Sequence, residues 1–242
     1  DQHVKREMEV SLQAGELVGV LYDALLQQYK DPTDPKTLKS LNALCVRLVF
    51  CLYAEDAGIF NHRRDMFHDY LKDIPAHGIR KALVELFRTL DQKPQDRDKY
   101  LFDDNPTLAA FPYVNGGLFA DEDIEIPPFT EELKSLLLSK ASQDFDWSAI
   151  SPTIFGAVFE STLNPVTRRS GGMHYTSIEN IHKVIDPLFL NNLKAELEEI
   201  KRIPVERTRE AKLAAYQSKL ASLTFLDPAC GSGNFLTESY IS

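Results

Sequence analysis

The chain has 242 residues, 43% of them hydrophobic and 26% charged, enough apolar material for one large or two modest globular domains with real cores. A formal net charge of −9 excludes a surface whose main work is wrapping DNA phosphates: either the chain holds no DNA, or the basic surface lies elsewhere in a longer protein. No apolar run approaches the roughly 18 residues of a membrane span and the start has no secretory pattern, which leaves a cytoplasmic location.

From Val4 to Tyr29, Val10, Leu17, Val20, Leu21 and Leu25 recur at helical spacing, and Asp31, Pro32, Asp34 and Pro35 stop that helix. Leu38 to Ala57 is apolar nearly all round and predicts a central helix capped by Gly58, with Cys45 and Cys51 as buried helix residues. Shorter helices are predicted at Arg64 to Leu71 and Ile79 to Leu90, completing a bundle. Asp91 to Pro128 has loop chemistry pinned by aromatic residues, and Asn115-Gly116-Gly117 predicts a tight turn at positive φ. Helical spacing resumes at Glu131 to Leu138 and Trp147 to Phe159, and then breaks at Arg168 to Gly172.

Thr176 followed by Glu179 is the pattern of a reciprocally capped helix start, so a helix is expected from about Ser177, kinked or broken at Pro187 and continued over Leu188 to Ile200. A charged helix follows over Val205 to Leu220. The period then changes. Leu223 to Leu226 predicts a short strand, followed by Asp227, a Gly231-Ser232-Gly233 loop and a helix from Phe235.

Strand, acidic residue, glycine loop and helix together open a nucleotide-binding α/β unit. Glycines let the backbone turn sharply and approach a ligand, while the helix start behind them offers free amides and positive potential. The chain lacks the Gly-Lys-Ser/Thr of a phosphate-binding loop, and Leu236 stands where a dinucleotide fingerprint needs its third glycine. Neither a nucleoside triphosphate nor NAD is favoured.

The run from Asp227 to Leu236, DPACGSGNFL, closely resembles the S-adenosylmethionine motif of amino-methylating DNA methyltransferases, above all the adenine-N6 enzymes of restriction–modification systems. The resemblance implies a loop that wraps the methionine part of the cofactor and assigns cofactor binding to Asp227, Pro228, Ala229, Cys230, Gly231, Gly233 and Asn234. Gly172 to Ser177 is similar to a second cofactor-contacting motif of the same enzymes, which adds Tyr175 and Thr176; Ser177 stands where many relatives have Pro. The Arg47 to Gly58, Asn115 to Phe119 and Ile154 to Glu160 segments resemble the helical spacer of large single-chain enzymes of the MmeI-like group (type IIG/IIL). In that group the spacer joins an upstream nuclease to the methyltransferase, and a target-recognition domain comes last.

Two other clusters contain residue types that could carry chemistry. Asp121 or Asp123 with Glu132 and Lys134 spells a nuclease triplet, but Glu132 and Lys134 fall in a predicted surface helix. His62, Asp65, His68 and Asp69 do not share one helical face, and the three cysteines lack zinc spacing, so no metal site is assigned. The amino-methylating Asp/Asn-Pro-Pro-aromatic motif is absent: Asn164-Pro165-Val166 and Asp186-Pro187-Leu188 lack its second Pro and its aromatic residue.

The expectation is therefore a mainly α chain: a helical spacer over 1–146, then over 147–242 the first helices and first strand of a truncated Rossmann-like methyltransferase domain. The resemblance implies a DNA adenine-N6 methyltransferase that takes its methyl group from S-adenosylmethionine, contacts double-stranded DNA mostly through regions outside this chain, and needs no membrane. This segment holds no catalytic residue and is expected to be inactive alone. The rival readings are a helical interaction module without ligand, and methylation of another acceptor, cytosine N4 or a protein glutamine.

Overall fold

The computed structural model of the chain describes residues 2–114, 116–120, 123–150, 155–156, 158, 176, 178–231 and 233–242. By packing, the chain divides into two compact units: Asp1–Ser151 with Ser161–Gly171, and Pro152–Glu160 with Gly172–Ser242. Among the described residues all regular structure is helical.

The first unit contains α1 (Gln2–Leu26), α2 (Pro35–Asp56), α3 (Met66–Leu71), α4 (Ala76–Asp91), α5 (Leu101–Asp104), α6 (Pro106–Ala109) and α7 (Glu131–Ser135), which runs on as π-helical turns over Leu136–Gln143. The proline-rich break after α1 also starts α2: Asp34 is its N-cap, with a side-chain oxygen accepting from Lys36 N at 3.3 Å, and Pro35 fills the first helical position. The helix thus begins three residues before the predicted Leu38. It ends as expected, with Gly58 at φ +73° behind the Ala57 cap.

At 22 residues α2 is apolar and long enough to cross a bilayer, but its apolar side is the core of this unit. Leu41, Leu44, Cys45, Leu48, Cys51 and Leu52 are all fully buried there, and Leu21, Leu25, Phe67, Leu83 and Leu86 from other helices of the unit are buried as well. Two charged α2 residues are buried with them. Arg47 donates through Nε to Leu118 O at 2.9 Å, and its guanidinium lies 5.3 Å from the Phe87 ring centre and 5.6 Å from that of Phe119. That contact anchors the glycine turn, where Gly116 and Gly117 adopt φ +121° and +76° as the sequence predicts; Asn115 lies outside the described residues.

Glu55 is the second buried charge. Its carboxylate accepts from the Phe67 and His68 amides at 2.9 and 3.0 Å, so it caps α3 from a distance, and Ser142 Oγ donates to its other oxygen at 2.9 Å. Burial outweighs those donors and pushes its pKa up to about 7. Arg97 ties the long connector down in the same manner, donating to the carbonyls of Thr89, Gln92, Ala109 and Phe111 at 2.8 to 3.2 Å.

The second unit contains α8 (Ile178–Ile185), π-helical turns over Asp186–Leu190, α9 (Asn191–Lys201), α10 (Glu206–Ser222) and α11 (Asn234–Ile241). Pro187 neither breaks nor ends the helix. Ile185 and Asn191 keep right-handed helical backbone on either side of the wider turns, which accommodate the ring and the missing amide hydrogen. Ile181, Ile185 and Leu190 form a small core with Phe189 and Phe235, and α9 is joined to α10 by the Tyr216 hydroxyl, which donates to Leu193 O at 2.9 Å.

The predicted strand is the main correction. Leu223 has extended backbone, but Leu223 to Leu226 pairs with no other strand among the described residues, and Leu226 is 89% exposed. A strand is defined by its ladder, and the apolar run finds no partner here. The first strand of a Rossmann-like sheet is therefore not formed among the described residues.

Candidate functional site

The loop between α10 and α11 folds through short-range polar contacts. Asp227 ends the extended run half-buried, and its Oδ1 accepts from Ala229 N at 3.0 Å, an Asx turn that reverses the chain around Pro228. Gly231 and Gly233 then take left-handed conformations, φ +54° and +81°, and Gly233 N donates to Cys230 O at 2.7 Å. Gly233 is the N-cap of α11, and its carbonyl accepts the first helical bond, from Thr237 N at 2.8 Å. Two glycines are needed here because other residues are strained at these φ values.

Pro228, Ala229, Cys230 and Gly231 are exposed, and a Cβ built on Gly233 would meet no atom within 4 Å. The loop is thus a bare stretch of backbone at a helix start, open on the side where a ligand would approach. A small-residue loop with this opening fits the methionine end of S-adenosylmethionine, which needs close backbone approach. Asn234, by contrast, is buried at the first position of α11.

Of the other assigned residues, Thr176 is exposed and non-helical two positions before α8. Tyr175 lies outside the described residues, as do Ser177, residues 151–154, 157 and 159 of the helix predicted over Trp147 to Phe159, and the Arg168 to Gly172 break. Cys230 is an exposed free thiol, whereas Cys45 and Cys51 are buried free thiols, the places their surroundings predict.

Sequence reasoning missed a polar cluster behind the loop. His182 on α8 bonds through Nδ1 to Asp186 Oδ1 at 2.7 Å and through Nε2 to Glu238 Oε1 on α11 at 3.1 Å. The only sequence signal was the i, i+4 spacing of His182 and Asp186.

In the Asp121 or Asp123, Glu132 and Lys134 set, Lys134 has a structural role. Lys134 Nζ donates to the carbonyls of Lys72 and Ile74 at 2.8 and 2.6 Å, so its ammonium closes the end of α3. Asp121 lies outside the described residues. Among the described residues, no three His, Cys, Asp or Glu side chains are grouped to hold a metal ion.

Comparison with known proteins bears on both units. The family model for the MmeI helicase spacer domain matches residues 39–119, and the model for the MmeI DNA-methyltransferase domain matches residues 203–242. DNA methyltransferase A of Bacillus subtilis (strain 168) is 32% identical over 240 residues, 98% of this chain and 25% of that protein. The structure of the type IIL restriction–modification enzyme MmeI in complex with DNA matches with a TM-score of 0.72 and 38% identity, over 95% of this chain and 28% of that one. The chain thus spans about a quarter of the length of these relatives.

Proposed function

Given that this chain belongs to the MmeI-like restriction–modification methyltransferases, we propose that it supplies the spacer and the first cofactor-binding segment of a DNA methyltransferase acting on adenine N6. The observation that carries the reading is the exposed loop from Asp227 to Gly233, with two left-handed glycines at the start of α11, inside the segment matched by the methyltransferase model.

S-adenosylmethionine, when bound, supplies an activated methyl group on a sulfonium centre. The chain's own residues act by shape and by charge. Gly231 and Gly233 admit the ligand against bare backbone, and the α11 amides behind them present positive potential to its carboxylate. The Asp227 carboxylate, fixed by the Ala229 amide, offers an acceptor and a negative charge near the cationic part of the ligand. Tyr175 and Thr176 are proposed as the contacts on the other side. Leu223 to Leu226 is proposed to join the methyltransferase sheet in the longer protein, where its exposed apolar side chains would find partners.

The spacer, expected over 1–146, is proposed to hold domains apart without binding a ligand. Double-stranded DNA, a nuclease and a target-recognition domain are proposed to engage the longer protein through regions outside this chain. The chain alone is proposed to lack activity and to bind the cofactor feebly, because it offers one edge of a pocket.

The test is Gly231→Val in the full-length protein. Loss of DNA methylation and of S-adenosylmethionine binding by at least about a hundredfold, with an unchanged circular dichroism spectrum, is the expected result; a β-branched side chain both strains a positive φ and fills the approach side. Unchanged methylation would leave the scaffold role alone standing. Mass analysis of nucleosides from the methylated product decides between adenine N6, cytosine N4 and a protein acceptor.

A further inference from the structure

The His182 cluster has a geometry that the cofactor loop alone does not require. His182 is partly buried, with 30% of its side chain exposed, and Glu238 opposite it is nearly buried at 8%. Both ring nitrogens face carboxylate oxygens, and only an imidazolium has the two N–H donors to satisfy both. A neutral ring would turn a lone pair toward one of them. The other charges nearby are engaged: Glu179, one turn earlier on α8, pairs with Lys183 at 3.1 Å, and the Ser242 hydroxyl donates to Glu238 Oε1 at 3.3 Å.

The two carboxylates sit on different arms of the unit. Asp186 continues the helix of His182, while Glu238 belongs to α11, 56 residues further along the chain. α8 begins two residues after Thr176, and α11 begins directly after Gly233. A tie between His182 and Glu238 therefore fixes the separation of the two helix starts that bear the proposed contacts.

We propose that His182 is a positioning residue, which as an imidazolium shared by Asp186 and Glu238 clasps α8 to α11 and holds the Thr176 segment and the glycine loop at the spacing one S-adenosylmethionine must bridge. The inference rests on the cofactor reading above. It adds a pH dependence that reading does not contain. Hydrogen bonding, first to Asp186 and then to Glu238, raises the His182 pKa above its ordinary 6.5. A raised histidine pKa means the clasp is fully made below pH 6.5 and is lost as pH rises through the higher folded value.

The experiment measures equilibrium binding of radiolabelled S-adenosylmethionine to the full-length protein from about pH 6 to about pH 9, the span in which such a histidine titrates. The native protein is expected to lose about fivefold in affinity through one midpoint above 6.5, the size of effect given by a partly exposed charged pair. His182→Gln should bind about fivefold more weakly at the acid end, with a flat profile, and should raise the KM for the cofactor while kcat holds at saturation. Glu238→Gln keeps the shape and removes one charge, so it should move the midpoint to lower pH; this serves even if His182→Gln folds poorly. A native-like profile in either variant, or no pH dependence in the native protein, overturns the clasp while leaving the cofactor reading intact, provided Gly231→Val abolishes binding. If the native protein binds no S-adenosylmethionine, or Gly231→Val binds normally, both fall together.

Discussion

The two units use polar side chains in opposite ways. In the first, Arg47, Glu55, Arg97 and Lys134 reach across long sequence separations to backbone carbonyls and amides that no helix satisfies, so polar residues complete the core. In the second, most pairs are local and exposed, such as Lys201 with Glu198, while Leu226, Tyr240 and Ile241 face outward. The difference teaches that the first unit is held by polar ties that reach between its elements, whereas the second relies mainly on pairs within or between neighbouring helices.

The largest effect that would test this contrast is Arg97→Ala, which takes a donor from four carbonyls, of which Thr89 O keeps the Gln92 amide, and should lower the stability of the first unit by about 4 kcal/mol, read from its urea midpoint. Glu55→Ala comes next. It uncaps α3 and strands the Ser142 hydroxyl, a loss of about 3 kcal/mol by the same measurement.

The same residue gives the first unit a pH signature. The folded Glu55 pKa is about 7 against an ordinary 4.5, so the folded state holds the proton more tightly and stability should fall as pH rises between those two values. Glu55→Gln should flatten that slope. In the second unit, Tyr216→Phe removes one bond to Leu193 O and should cost about 1 kcal/mol. Lys219→Ala, which breaks the exposed pair with Glu196, should change stability by less than about 0.5 kcal/mol, and a larger loss would mean that surface pairing holds this unit together.

The helices were legible because their apolar spacing is long and regular, as in α2 and α4. The long polar ties were not. Nothing near Glu55 in the sequence announces that its oxygens will cap a helix starting eleven residues later, because that choice depends on how helices pack. Lys134 sits on the surface helix that the sequence predicts, but its bonds to the Lys72 and Ile74 carbonyls are not legible there, because they depend on the end of α3 lying beside it.

At the candidate site the glycine positions were legible from chemistry alone, since left-handed backbone and a helix start demand small residues. Leu223 to Leu226 carries the right composition for a strand, yet pairing is a property of two segments and composition describes one. Pro187 shows the converse. It signals interruption, but π-helical turns absorb it within one continuous helix.

Trp147 is the chain's one tryptophan, 1% exposed, with its indole N–H donating to Ala141 O at 2.7 Å and its backbone amide donating to Asp56. It belongs to the first unit, so the chain carries a built-in optical reporter of that unit alone. A red shift of its fluorescence marks opening of the first unit, and events confined to the glycine loop should leave its emission untouched.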